Sequence, residues 1–139
     1  MPASGPPYPD RIGKHVIRIE GDVFVGQFVG VYAVEEARQV LGICDELFRR
    51  HGSVFMLGDM RSVDPPPPET RKLIAHWPVL GRYVLVAYGL SFANQAIVKL
   101  MTAARRLLGN PPLDIYVVES EAAGRALIAE LRPRLRAPK

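Results

Sequence analysis

The sequence predicts one α/β domain: a mixed, mostly parallel sheet of about five strands, opened by an N-terminal hairpin and packed with about four helices. Three observations predict it. The chain has 139 residues, 48% hydrophobic and 23% charged, which is the size and composition of one globular domain and far from the profile of a disordered chain. Short runs that are apolar on both faces, as in strands covered on both sides, recur at 54–57, 83–88 and 113–118. Segments of helical periodicity lie between them, so strand and helix alternate.

Each element has its own signal. Residues 1–13 hold four prolines and two glycines with few large apolar side chains, and read as a flexible leader. His15, Ile17 and Ile19 then alternate with Val16, Arg18 and Glu20. After Gly21-Asp22 a second β-rich run extends from Val23 to Tyr32, which predicts a hairpin, and Gly26 and Gly30 within it mark a bulge or a close backbone approach.

A helix follows, with Val34, Ala37, Leu41, Cys44 and Phe48 on one stripe and Val40 and Leu47 widening it. Glu35 and Glu36 in its first turn and Arg49 and Arg50 in its last complement the helix dipole, and Gly52 is the stop. Pro65 to Pro68 introduce a short helix from Glu69 to about Trp77, ended by Pro78. The clearest helix spans 92–108, with Ser91 as N-cap and Gly109 as stop. Phe92, Ala96, Ile97, Leu100, Met101, Ala104, Leu107 and Leu108 form its expected core-facing stripe, while Lys99, Arg105 and Arg106 read as a solvated basic face. A last helix follows Ser120, with Ala123, Leu127, Ile128 and Leu131 inward. The folded domain is therefore expected over 14–132, with 133–139 as a basic tail.

The net charge is +4, and the excess gathers at Arg132, Arg134, Arg136 and Lys139, without the interleaved aromatic residues that stack on bases. Nucleic acid is not the expected partner. The single cysteine, Cys44, excludes an intramolecular disulfide and a zinc cluster, and its place on the buried stripe makes it a core residue. No basic stretch leads into an apolar region at the N-terminus, and no apolar run approaches the ~20 residues that span a bilayer. No transmembrane segment and a cytoplasmic location are the expectations.

Three histidines, His15, His51 and His76, lack metal-binding spacing, and only His76, beside Trp77, is expected to face a pocket. A nucleophile elbow, a phosphate-binding glycine loop and a dinucleotide fingerprint are absent. The sequence thus points to a protein that is not an enzyme and needs no cofactor. In open α/β sheets, functional groups gather where strands end and loops enter helices. That rule selects Asp59, Arg61, Ser62, Tyr88, Ser91 and Phe92 as the candidate binding set, with Gly89, Glu119 and Ser120 nearby. Each has a structural alternative: Ser91 and Ser120 as N-caps, Asp59 as an acceptor for loop amides.

The element order, the Gly58-Asp59 ending of the third predicted strand and the helix opening at Ser91-Phe92 resemble the STAS domain, the fold of bacterial anti-sigma factor antagonists. The resemblance is strongest to STAS-like proteins grouped with the CRAL-TRIO lipid-binding fold, and it covers His15 to Leu131. Antagonists of that family carry an Asp-Ser-Ser or Asp-Ser-Thr sequence at the start of the helix after the third strand, where a kinase phosphorylates the hydroxyl. Here the stretch reads Gly58-Asp59-Met60-Arg61-Ser62-Val63-Asp64 followed by four prolines, and the motif is missing. Ser62 before the prolines and Thr70 after them are the nearest candidates for phosphorylation.

Two function classes follow. The resemblance to STAS proteins implies a non-catalytic regulatory module that binds a protein through the helices after the third and fourth strands. The CRAL-TRIO likeness implies instead a small-molecule or lipid site in an apolar pocket beneath helix 92–108. Phe24, Phe28 and Tyr32 on the hairpin also point to a homodimer.

Overall fold

A computed structural model describes residues 8–111 and 113–136. It builds three antiparallel strands, β1 (Arg11–Ile12), β2 (His15–Glu20) and β3 (Val23–Gly30), and then alternates helix and strand. The alternating elements are α1 (Val34–His51), β4 (Val54–Val63), α2 (Pro68–His76), β5 (Tyr83–Tyr88), α3 (Phe92–Leu107), β6 (Asp114–Val118) and α4 (Glu121–Arg136). The six strands lie side by side in chain order, and β3 through β6 run parallel. The single α/β domain with its mixed sheet is as the sequence predicts.

Successive crossovers of one hand between neighbouring parallel strands carry their helices to one face of the sheet. There Val40, Cys44 and Leu47 of α1 and Ile74 of α2 pack on Phe24, Phe28, Val54, Met56 and Tyr83. The other face belongs to α4, where Ile128 and Leu131 cover Val23, Phe55, Leu57, Val84 and Val86. Period-two alternation explains the division: Phe55 and Leu57 point to α4 while Met56 between them points to α1. Gly124 lets α4 come close, since a Cβ there would stand 2.7 Å from Leu57 Cδ1 and 3.2 Å from Val86 Cγ1.

Several expectations are corrected. Residues 11–12, placed in the leader, form β1 and bury Ile12; residues 1–7 lie outside the described residues. The strand expected over 54–57 continues to Val63 because β3 extends alongside it, with an irregular register between Gln27 and Val29. Gly26 lies under the Phe28 ring, 2.8 Å from where its Cβ would be, which is the close approach expected of it. The tail expected over 133–139 is helical through Arg136, with Pro133 inside α4, and residues 137–139 are not described. Arg132 is not frayed: it donates to the buried Asp22 carboxylate at 2.7 Å and lies over the Phe55 ring. Phe24 and Phe28 are fully buried, which withdraws the argument for a homodimer through hairpin aromatics.

Candidate functional site

The orientation of α3 decides what this domain can present. Its inward residues are Asn94, Ile97, Val98, Met101 and Arg105, of which Ile97 and Met101 belong to the predicted stripe and the other three do not. Polar groups hold both ends. At the start, Ser91 Oγ accepts from the Asn94 N–H at 3.1 Å, and Asn94 Nδ2 donates to the Val63 carbonyl at 3.3 Å. At the far end Arg105 is fully buried, donating through Nη1 to the Ile74 and Trp77 carbonyls at 2.9 Å each and through Nε to the Pro111 carbonyl at 2.8 Å. These acceptors include Ile74 in the last turn of α2, whose carbonyl otherwise receives the long bond from the Trp77 N–H at 3.4 Å. Arg105 is thus no part of a solvated basic face, as its position had suggested.

Because Arg105 and Asn94 occupy the inward side, five of the eight residues of the predicted stripe turn outward. Phe92 is 90% exposed, Leu107 87% and Leu100 63%. With Ala96 and Ala103, also exposed, they follow one side of the helix at spacings of three and four residues. The result is an apolar ridge in solvent.

Between the two polar fastenings α3 roofs a cavity of about 100 Å³. Its walls include Met56, Met60, Ile74, Ile97 and Met101, with Tyr32 at one side. Burial pushes the Tyr32 hydroxyl well above its ordinary pKa. The space is smaller than the ~150 Å³ apolar cavity that takes up benzene.

The strand-end candidates separate onto two sides. Asp59 and Arg61 meet Tyr88 on the α4 side, where Arg61 Nε and Nη2 donate to the two Asp59 oxygens at 2.9 and 2.7 Å and its guanidinium sits over the Tyr88 ring. Hydrogen bonds from Arg61 hold the Asp59 carboxyl below its ordinary range. Asp59 also accepts from the Arg61 N–H at 3.1 Å, the backbone role named as its structural alternative. Ser91 is an N-cap and Phe92 begins the ridge on the opposite side, so the six residues do not form one site. Ser62 is exposed at the end of β4. Thr70 is buried and its hydroxyl donates to the Tyr32 carbonyl at 2.7 Å, so the folded chain does not present it to a kinase.

No family model, no curated protein and no solved structure matches the chain.

His76 is exposed and donates from Nδ1 to the Lys72 carbonyl at 2.9 Å. No group of three or more His, Cys, Asp or Glu side chains among the described residues is arranged to hold a metal ion. No helix among them is long and apolar enough to cross a membrane. Sequence reading missed the inward face of α3, yet a signal was there. Asn94, Ile97, Val98, Met101 and Arg105 follow the i, i+3, i+4, i+7, i+11 spacing of one helix face, and the two polar members disguised it.

Proposed function

We propose that this chain is a non-catalytic protein-interaction module of the regulatory kind that the STAS resemblance implies, and that α3 is its docking face. The observation that carries the reading is the ridge of Phe92, Leu100 and Leu107. Large apolar side chains aligned in solvent mark binding surfaces, and aromatic anchors dominate such contacts. The order of elements, a hairpin followed by alternating helix and strand, supports the same reading. Ser62 is the accessible hydroxyl of the two phosphorylation candidates, and a bacterial, cytoplasmic setting accords with the resemblance.

The test is a photo-crosslinking amino acid placed at Leu100 in the host cell, with Arg38 on the exposed side of α1 as control. A discrete crosslinked protein at Leu100, absent at Arg38 and lost on adding Phe92→Ser and Leu107→Ser, is the expected result. No discrete product at Leu100 overturns the docking face.

The cavity favours a second reading, in which a small apolar molecule binds beneath α3. Native mass spectrometry of the chain purified from its own host checks it: an added mass of a small organic molecule supports it. The bare chain mass, with no uptake of benzene, refutes it.

A further inference from the structure

Among the described residues the sheet ends on one side at β6, which pairs with β5 and no other strand. In a strand, alternate residues direct both their N–H and C=O to the same side, so part of the β6 backbone faces away from β5. The opposite end of the sheet is capped by β1, a strand of two residues. Natural edges are blunted by lysine, proline or a bulge. The sequence of β6, Asp-Ile-Tyr-Val-Val, contains none of the three, and its Asp114 is occupied by Arg82. Val117 is 47% exposed.

Alongside this edge, between β6 and α3, runs a groove of about 530 Å³. Its floor is β6 and its helical wall carries Val98, Lys99, Thr102 and Arg106. Lys99 and Arg106 are exposed, and among the described residues neither is in an ion pair. Seven residues of helix set them about 10 Å apart along its axis. That matches about three residues of extended chain, within reach of carboxylates at alternate strand positions given the length of lysine and arginine side chains.

We propose that β6 is a strand-acceptor edge, and that the occupant is an extended segment of a partner protein with alternating acidic and apolar residues. Its backbone continues the sheet, its carboxylates on the α3 side meet Lys99 and Arg106, and its apolar side chains on the opposite side continue the row of Tyr116 and Val118. Main-chain pairing supplies affinity and alternate side chains supply selection. Charge argues against a second copy of the chain. Two β6 edges joined about a twofold would set two α3 helices side by side on the same face, with Lys99 and Arg106 of each confronting the other pair. The inference rests on the protein-binding reading but uses the β6 edge and the adjoining side of α3, whose groove is lined by neither Phe92, Leu100 nor Leu107 of the ridge.

The test uses the full chain and a fluorescein-labelled nonapeptide of alternating glutamate and valine, read by fluorescence anisotropy. Saturable binding is expected, weakened about tenfold or more in the Lys99→Glu, Arg106→Glu variant. N-methylation of one alternate set of peptide amides should abolish binding while methylation of the other set leaves it, and amide exchange in β6 should slow on binding. The proposal is overturned if the peptide does not bind, if both methylated peptides bind as the parent does, or if a lysine-valine peptide binds equally. It is also overturned if sedimentation shows the chain self-associated through an edge that the charge reversal opens. Phe92→Ser with Leu107→Ser should leave peptide binding unchanged, so failure of the ridge and failure of the edge read out separately.

Discussion

His15 Nε2 lies 2.8 Å from Glu36 Oε1, joining β2 to the first turn of α1. The Val29 N–H can only donate, and it points at His15 Nδ1 from 2.9 Å, so Nδ1 is the acceptor and Nε2 carries the proton given to Glu36. Glu36 Oε1 also accepts from the Ala33 N–H at 3.0 Å, the residue just before α1. Glu36→Ala should therefore lower stability by ~2 kcal/mol, since it leaves a buried imidazole N–H and a helix-start amide without an acceptor. Glu36→Gln retains a carbonyl acceptor and should lose ~1 kcal/mol or less. Urea unfolding of the two variants checks the difference.

Arg105 makes a sharper prediction. Arg105→Met keeps the apolar stem but removes the donor that the Trp77 and Pro111 carbonyls share, and leaves Ile74 with the long bond from the Trp77 N–H at 3.4 Å. A loss of ~3 kcal/mol is expected. Arg105→Lys should recover little of it, because one ammonium does not reproduce the fork that reaches α2 and the loop at Pro111 together. Thermal unfolding of both variants is the measurement.

The ridge and the cavity lining should behave oppositely. Phe92→Ser and Leu107→Ser remove exposed side chains and should change stability by no more than ~0.5 kcal/mol. Met101→Ser, in the wall of the cavity, should cost about 2 kcal/mol or more. Chemical denaturation that ranks the ridge variants below Met101→Ser would contradict the orientation of α3.

Acid stability follows from Asp59. Arg61 lowers its carboxyl pKa in the folded state relative to the unfolded chain. The resulting stability is fully present above the unfolded value and is lost as pH falls through the folded one, a window below about pH 4. Asp59→Asn should be less stable than the parent at pH 7 and should show a shallower decline below pH 4, read from unfolding curves at stepped pH.

Cys44 is buried, and that burial pushes its thiol up to about 12. At pH 8 the folded chain should not react with an aromatic disulfide reagent, whereas the urea-unfolded chain should release one thiol equivalent. Rapid native labelling would mean that α1 leaves the sheet readily.

Local signals settled the ends of several helices. Ser91 caps α3 as predicted, and Ser120 Oγ accepts from the Ala123 N–H at the start of α4. Gly52 closes α1 in the left-handed conformation, and Pro68 opens α2 at its first turn. These depend on neighbours within four residues, so the sequence contains the whole argument. Apolar runs at 83–88 and 113–118 likewise gave the strands β5 and β6, because a strand covered on both faces must be apolar on both.

The sequence by itself determined the α/β class, the order of elements from β2 onward, the caps at Gly52, Ser91 and Ser120, and the burial of Cys44. The tertiary structure alone decided which side of α3 faces in, that α4 lies opposite the other helices, that Asp59 and Phe92 stand on different sides of the sheet, and that β6 is the last strand of the sheet among the described residues. The apolar arc of α3 is wider than the sheet can cover, so hydrophobic pattern leaves its rotation undetermined. Hydrogen bonds from Asn94 to Val63 and from Arg105 to Ile74 and Pro111 fix it, and those acceptors are carbonyls of other elements that no local pattern marks.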